Sequence, residues 1–315
     1  MTTHAAGATP YRLIFLDLDR TLVGGDDIVS PRTLAALNAA QQRGCTIVIC
    51  TGRNRFMVEH VAAQWSGHGY GVFSNGAVIA EWETGRVLQK IALTASTVRE
   101  AARLAHVFAL APLCFGVHVE EDGGRSVYTD RLFPVAPAYA VRNAQRFVFH
   151  DDLAVEGEIE PVGMAVYGLE DGTQALAQAW QDSLGTSVSV YHSPDSKYGC
   201  WCAFMNARAA NKAHAAKTVA GMLGVPQEQT LGIGDELNDL EMLQWAGMGV
   251  CMGDGNAEVR GRADYVTGTL AEDGAAQAIQ RFVLGTVTVR EEPDKAPLDA
   301  FPRPASDGDC RPPAG

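Results

Sequence analysis

The first residues that could do chemistry are two aspartates, Asp17 and Asp19, which stand one residue apart at the end of an apolar run. The run at 13–16, LIFL, has no polar residue on either face, and this pattern predicts a strand buried on both sides. Carboxylates at the end of such a strand resist burial unless a positive charge receives them. The spacing therefore predicts that a cation lies beside this strand end.

Three further predicted strands also end in polar residues. These residues are Thr51, Gly52 and Arg53 after the second strand, Ser74, Asn75 and Gly76 after the third, and Asp235, Asn238 and Asp239 after a later strand at 231–233. In an open parallel sheet, ligands bind outside the carboxyl ends of the strands. We therefore expect the four loops to converge on one edge of the sheet and to form one site.

Three carboxylates that meet at one edge repel each other unless a cation lies among them. Asp17 and Asp235 offer hard oxygen ligands, and Mg2+ suits them best, because it keeps several waters and binds phosphate oxygens. A simpler interpretation of Asp17 and Asp19 is N-capping or turn formation after the strand. The second acidic strand end, far along the chain, favours the metal site.

The elements that must position these residues alternate between strand and helix. The segment SPRTLAALNAAQQRG has Ser30 as N-cap, Pro31 in the first turn and Gly44 after the last, which predicts a helix between the first two strands. The βαβαβ pattern that continues to residue 80 predicts a parallel sheet with helices on both faces.

The chain divides into a core, an insert and two tails. We predict an α/β fold with a doubly wound, Rossmann-like parallel sheet at 11–80 and 200–284. Between them, at 81–199, runs of strands and a hairpin around Asp122 predict an inserted α+β domain with an antiparallel sheet. Residues 1–10 and the segment 285–315, which is rich in proline and charge, are expected to be disordered.

Composition argues against several classes of protein. The chain has 315 residues and a net charge of -12, which disfavours nucleic-acid binding because phosphate neutralisation needs basic patches. Its seven cysteines are odd in number and lack C-x-x-C spacing, so neither a disulfide framework nor a zinc site is favoured. The chain shows no signal-peptide pattern and no apolar stretch of about 18 residues, so we expect a cytoplasmic protein without membrane partners.

The motifs at the strand ends resemble those of the haloacid dehalogenase superfamily, in its phosphatase branch. DLDRTL resembles the D-x-D-x-T signature, TGR the second motif, ANKAHAAKTVA the third and GDELNDLEML the fourth. SNGA and MGDGNAEVRGRADYVTGTLAEDG resemble the Cof-like subgroup, whose large class IIB cap domain is inserted between the second and third motifs. The resemblance covers residues 11–283.

The resemblance implies a Mg2+-dependent phosphatase with an aspartyl-phosphate intermediate. Asp17 would be the nucleophile, and Asp19 would act as general acid and then general base. The metal would be bound by the Asp17 and Asp235 carboxylates and by the backbone carbonyl of Asp19. Lys212 would supply a positive charge beside Asp17 and the phosphate.

Other motif residues would bind the phosphate or support the site. By the same resemblance, Thr51 and the amide of Gly52 would hold phosphoryl oxygens. Asn238 and Asp239 would orient the lysine and the waters of the metal. Thr21 would brace the loop rather than react.

Three candidates for substrate binding also have a purely structural interpretation. Arg53 could contact the substrate or phosphate, or it could simply begin a helix. Asn75 and Gly76 could lie beside the site or form only a turn.

Two positions depart from the family pattern. Arg20 stands where the family has glycine in D-x-D-G-T, and Asp254-Gly255 replaces the Asn-Ala of MGNA. A bulky cation at position 20 could alter the loop beside Asp19 or contact a phosphate or carboxylate. Neither departure removes a catalytic group.

The predicted function is hydrolysis of small soluble phosphate esters, such as sugar phosphates or nucleotide-like phosphates, with the insert closing over the site. The alternatives are a phosphomutase of the same fold and a non-catalytic phosphate-binding protein. Asp17, Asp19, Lys212 and Asp235 are all present, which disfavours the non-catalytic alternative. We expect a monomer or a weak homo-oligomer.

Overall fold

The structure is a computed structural model that describes residues 10–65, 67–116, 127–131, 147–154, 160–195 and 198–285. The segments predicted to be disordered lie outside these residues, apart from Pro10 and Gly285 at their edges, and so does the turn predicted at Asp122. Within the described ranges, every helix is too short or too polar to cross a membrane.

Eight strands, numbered along the whole chain, form the larger sheet. They are β1 Leu13–Asp17, β2 Thr46–Cys50, β3 Gly69–Phe73, β4 Val78–Glu81, β5 Val87–Lys90, β12 Thr230–Gly234, β13 Met248–Cys251 and β14 Tyr265–Val266. Their order is β14-β13-β12-β1-β2-β3-β4-β5. The sheet is parallel from β14 to β3, and β4 and β5 extend it antiparallel.

Helices cover both faces of this sheet. The described α-helices are α1 Pro31–Gln42, α2 Arg55–Ala62, α3 Ala95–Val107, α4 Glu170–Leu184, α5 Lys212–Leu223, α6 Leu240–Trp245, α7 Ala257–Arg262 and α8 Gly274–Ile279. Because side chains alternate along a strand, Ile14 and Leu16 of β1 pack with α1, α2 and α8, whereas Leu13 and Phe15 pack with α5, α6 and α7. The predicted doubly wound α/β fold is confirmed.

A second sheet forms the inserted α+β part. Its strands are β6 Leu113–Gly116, β7 Val127–Thr129, β8 Phe147–Phe149, β9 Pro161–Gly168, β10 Val188–Asp195 and β11 Cys200–Ala207, in the order β10-β11-β9-β6-β7-β8. All neighbours are antiparallel except β7 and β8. α3 and α4 cover one face, where Trp180 is fully buried. The other face adds Phe115 and Tyr167 to the apolar cluster that contains Ile14.

The two sheets divide the chain at different places from the predicted boundaries. β5, predicted within the insert at 81–199, pairs with β4 in the larger sheet. β11, predicted within the core from residue 200, pairs with β9 and β10 in the smaller sheet. Neither strand, of four and eight residues, has a sequence pattern that selects one of the two sheets, so their partners are decided only in the tertiary structure.

Candidate active site

Asp17 lies at the carboxyl end of β1 and is 5% exposed. Lys212 begins α5, directly after Asn211 caps that helix by accepting a hydrogen bond from the amide of His214 at 2.7 Å. The buried Nζ of Lys212 donates to Asp17 Oδ1 at 2.5 Å and to Asp239 Oδ1 at 2.6 Å. One buried cation therefore joins two buried carboxylates from different loops.

The loop after β12 fixes the second of these carboxylates. Asp239 Oδ2 accepts hydrogen bonds from the amides of Asp235 and Glu236, both at 3.1 Å. Gly234 allows this close approach, because a β-carbon there would lie 2.6 Å from Cγ of Asp239. The loop's own backbone thus positions the aspartate that contacts Lys212.

Asp17, Asp235 and Asp239 form an acidic cluster, with one carboxylate oxygen from each lying within 4.8 Å of the others. Asp235 Oδ1 accepts a hydrogen bond from the Thr21 hydroxyl at 3.4 Å. Its Oδ2 is buried and has no hydrogen-bond partner in the part of the chain that the structure describes. A buried oxygen in this state is costly, and a coordinated cation would satisfy it. The all-oxygen donor set fits a divalent ion such as Mg2+.

Crowding changes the protonation of the cluster. Burial first, and then the charge of Asp239, raise the pKa of Asp17 well above 3.8 and that of Asp235 to about 7. For Lys212, burial acts to lower the pKa, but the charges of Asp17 and Asp239 outweigh it and the pKa is raised. The lysine therefore stays charged, whereas full ionisation of the aspartates at neutral pH requires further positive charge.

Asp19 lies in the loop after β1, where Arg53 binds its carboxylate. Arg53 Nη2 donates to Asp19 Oδ1 at 2.5 Å, and Nε donates to Oδ2 at 3.1 Å. The same Nη2 donates to Asp27 Oδ1 at 2.7 Å, and Asp27 Oδ2 lies 2.8 Å from His60 Nε2. The Arg53 side chain is 14% exposed, so it is not an ordinary surface residue before α2. A metal contact from the Asp19 carbonyl stays a prediction.

The loops after β2 and β3 meet beside Asp19 and Arg53. Thr51 is fully buried, and its Oγ1 accepts a hydrogen bond from the Arg53 amide at 3.0 Å. Gly52 packs closely on Asn75, since a β-carbon at position 52 would lie 3.1 Å from Asn75 Oδ1. That oxygen accepts a hydrogen bond from Asn238 Nδ2 at 3.0 Å, which joins the loops after β3 and β12.

Gly76 brings the loop after β3 against the start of α5. Its φ is 103°, in the left-handed region, and a β-carbon there would lie 2.4 Å from the carbonyl oxygen of Asn211. The fully buried Asn206 ties the same two segments together, because its Nδ2 donates to the carbonyls of Ser74 at 3.0 Å and Ala210 at 2.9 Å. Because Asn211 and Ala210 directly precede Lys212, these contacts hold the start of α5 in place.

A known family shares these motifs in this order. A family model described as haloacid dehalogenase-like hydrolase matches residues 14–279, which include every loop of the site. The chain belongs to the haloacid dehalogenase-like hydrolases. The resemblance inferred from the motifs is confirmed.

The relatives of this hydrolase include named phosphatases. The 5-amino-6-(5-phospho-D-ribitylamino)uracil phosphatase YcsE of Bacillus subtilis is 26% identical over 275 residues, which cover 87% of this chain and 96% of that protein. Phosphatase YwpJ of the same organism is 26% identical over 297 residues, covering 86% and 100%. A crystal structure of a haloacid dehalogenase-like hydrolase from Bacteroides thetaiotaomicron, also 26% identical, has a TM-score of 0.71 and covers 86% of this chain and 99% of that one. This hydrolase is a phosphatase.

Two buried residues of the site were not identified from the sequence of this hydrolase. Asn206 is the second-last residue of the strand CWCAFMNA, and a polar residue near the end of an otherwise apolar strand is the signal that could have identified it. Asp27 lies in the segment GGDDIVS, where acidic residues and glycine are ordinary for a loop. No local sequence pattern indicates the contact between Asp27 and Arg53.

Proposed function

We propose that this hydrolase is a Mg2+-dependent phosphomonoesterase that acts on small soluble phosphate esters through an aspartyl-phosphate on Asp17. The observation that carries the proposal is the buried cluster in which Lys212 contacts Asp17 while Asp235 Oδ2 is left without a hydrogen-bond partner among the described residues. A lysine on one side of a nucleophilic aspartate and a metal ion on the other would offset its repulsion from an anionic substrate.

The reaction divides into two displacements. Lys212 binds Oδ1 of Asp17, so we assign Oδ2 as the oxygen that attacks phosphorus. As the bond from Asp17 to phosphorus forms, the bond to the leaving oxygen breaks, and Asp19 gives that oxygen a proton. Asp19 then takes a proton from the water that attacks phosphorus, which releases inorganic phosphate and restores Asp17. Bound Mg2+, held by Asp17, Asp235 and the Asp19 carbonyl, would supply positive charge at a phosphoryl oxygen.

Arg53 connects substrate binding with the release of Asp19. A guanidinium binds phosphate in the same forked geometry in which it binds carboxylate. In the structure, the guanidinium of Arg53 donates hydrogen bonds to both carboxylate oxygens of Asp19. An incoming phosphate competes for Arg53, and the released Asp19 carboxylate takes up a proton, from water or from the phosphate monoanion, which it then gives to the leaving oxygen. Thr51, the Gly52 amide and Asn238 complete the phosphoryl-binding set.

We propose that the inserted α+β part selects the leaving group of the substrate. YcsE and the related YitU of Bacillus subtilis are both named 5-amino-6-(5-phospho-D-ribitylamino)uracil phosphatases. That compound therefore belongs in a substrate panel beside sugar phosphates, nucleotides and p-nitrophenyl phosphate. We propose a substrate of this size, a small phosphometabolite.

The test is phosphate release from this panel, with Mg2+ and with EDTA, by the wild type and by Asp17→Asn. Asp171→Asn, an exposed change at the start of α4, is the matched control. We expect release that needs the metal and is lost only in Asp17→Asn. Rapid quenching followed by peptide mass spectrometry should find the phosphoryl group on Asp17.

Other results would point to the alternatives. Isomerisation of a sugar phosphate that needs a bisphosphorylated activator, without net phosphate release, would indicate a phosphomutase. Binding of phosphate and Mg2+ without turnover of any ester would indicate a non-catalytic protein. Full activity in Asp17→Asn would contradict the assigned nucleophile.

A further inference from the structure

Arg20 occupies a position in the loop after β1 where a side chain carries a conformational cost. Its φ is 60°, in the left-handed region that residues other than glycine rarely adopt. Its amide donates to the carbonyl of Val23 at 2.8 Å, so the loop closes around this conformation. The hydrolase keeps a long, charged side chain at a place where glycine would fit without strain, which indicates that the charge has a use.

The guanidinium of Arg20 links three loops at the edge of the site. Its Nη2 donates to the backbone carbonyl of Asp254, after β13, at 2.9 Å. Its Nε lies 3.6 Å from Asp235 Oδ2, and its Nη1 lies 4.0 Å from Glu236 Oε1, both after β12. The two residues that depart from the family pattern, Arg20 and Asp254, are therefore in direct contact.

The oxygen that Arg20 approaches is the one best placed to receive a metal. Asp235 Oδ2 is buried and, in the described ranges, accepts no hydrogen bond. A separation of 3.6 Å is too long for a hydrogen bond, so Arg20 offers its charge there without satisfying the oxygen. Lys212, by contrast, contacts Asp17 and Asp239. A cation bound to this oxygen of Asp235 would lie close to the positive charge of Arg20.

We propose that Arg20 sets the metal affinity of the site: its resident positive charge beside Asp235 weakens the binding of Mg2+. The inference rests on the proposed function, in that Asp235 is taken as a metal ligand. Like charges around one carboxylate repel, and displacing Arg20 would break its bond to the Asp254 carbonyl. The Arg20 side chain is 54% exposed, so water screens the repulsion and the effect on the dissociation constant is on the order of tenfold.

The experiment is isothermal titration calorimetry of Mg2+ into the substrate-free protein, at low salt and pH 8. Arg20→Gln removes the charge but keeps a β-carbon at the strained φ, and Arg20→Lys keeps both the charge and the β-carbon. We expect Arg20→Gln to bind Mg2+ about tenfold more tightly than the wild type and Arg20→Lys to bind within about twofold of it. Raising the ionic strength should reduce the difference.

Two further variants separate this inference from the proposed function. Arg20→Gly should also bind Mg2+ more tightly, and unfolding curves for all variants establish that each is folded. Asp235→Asn should abolish Mg2+ binding. If it does so, and Arg20→Gln binds no more tightly than the wild type, the inference about Arg20 is wrong and the metal site stands. If Asp235→Asn binds Mg2+ like the wild type, both proposals fail.

Discussion

Replacing Lys212 with methionine removes a positive charge that two buried aspartates share. Its Nζ lies 2.5 Å from Asp17 Oδ1 and 2.6 Å from Asp239 Oδ1. At such distances and an effective dielectric constant of about 20, each attraction amounts to roughly 6 kcal/mol before desolvation is subtracted. Desolvation removes several kcal/mol per ion, so we expect Lys212→Met to lower the free energy of unfolding by about 3–5 kcal/mol at pH 8 without metal.

The loss should be smaller at pH 5 than at pH 8. Burial, followed by the charge of Asp239, already raises the pKa of Asp17, and removing Lys212 raises it further because Lys212 acts to lower it. A carboxyl group whose pKa is raised in the folded state favours folding at low pH and loses this contribution as the pH rises through that pKa. Proton uptake by the cluster therefore offsets part of the missing charge in acid.

The assay is urea denaturation in EDTA, followed by tryptophan fluorescence at both pH values. Lys217→Met is the matched control, because Lys217 lies on the exposed face of the same helix. In parallel, kcat/KM for p-nitrophenyl phosphate with Mg2+ should fall by a factor of about 100 to 1,000 in Lys212→Met. If the two variants show the same free energy of unfolding at pH 8, the argument from the buried pairs is refuted. Unchanged turnover in Lys212→Met would remove the lysine from the mechanism.

Three other changes test separate parts of the structure. Burial and the charge of Asp239 raise the pKa of Asp235 to about 7. The unfolding free energy of the metal-free wild type should therefore decline relative to Asp235→Asn between about pH 4 and about pH 7, and parallel urea profiles would contradict this. Asp27→Asn weakens the contact that holds Arg53 beside Asp19. We expect kcat to fall about tenfold to a hundredfold for alkyl phosphates, because their leaving group needs a proton. For p-nitrophenyl phosphate, kcat should change little. An equal loss with both esters would exclude a role through Asp19. Trp180→Ala should lower the free energy of unfolding, measured with urea or heat, by about 3–5 kcal/mol. The reason is that Trp180 is fully buried and donates a hydrogen bond to the Ala101 carbonyl. A change below about 1 kcal/mol would contradict this packing.

Local patterns predicted the main elements of the core well. The apolar run before Asp17 is β1, and the capping signals at Ser30 and Pro31 mark the start of α1, where the Ser30 side chain accepts from the Thr33 amide. The order of polar strand ends led to the expectation of one site, and the structure brings Asp17, Lys212 and the loop after β12 into contact. Burial and helix capping act over a few residues, which is why a linear pattern can reveal them.

Pairing between distant segments was not accessible in the same way. β5 and β11 had sequence patterns compatible with either sheet, and the predicted boundaries placed both in the wrong one. For Arg53, the alternatives of a substrate contact and a helix start both overlooked Asp27, which lies in a loop and binds the same guanidinium as Asp19. A strand or a guanidinium can satisfy its hydrogen bonds with many partners, so its own sequence does not select one.

The amino-acid sequence by itself determined the family, the α/β core and the residue types at each strand end, because these depend on local periodicity and on motifs a few residues long. Only the tertiary structure decided which charges meet. Lys212 and Asp17 stand 195 positions apart in the chain, and Lys212 and Asp239 stand 27 apart. Such contacts form when the sheet brings loops from both ends of the chain to one edge, and the low dielectric of that buried edge makes their charges interact strongly.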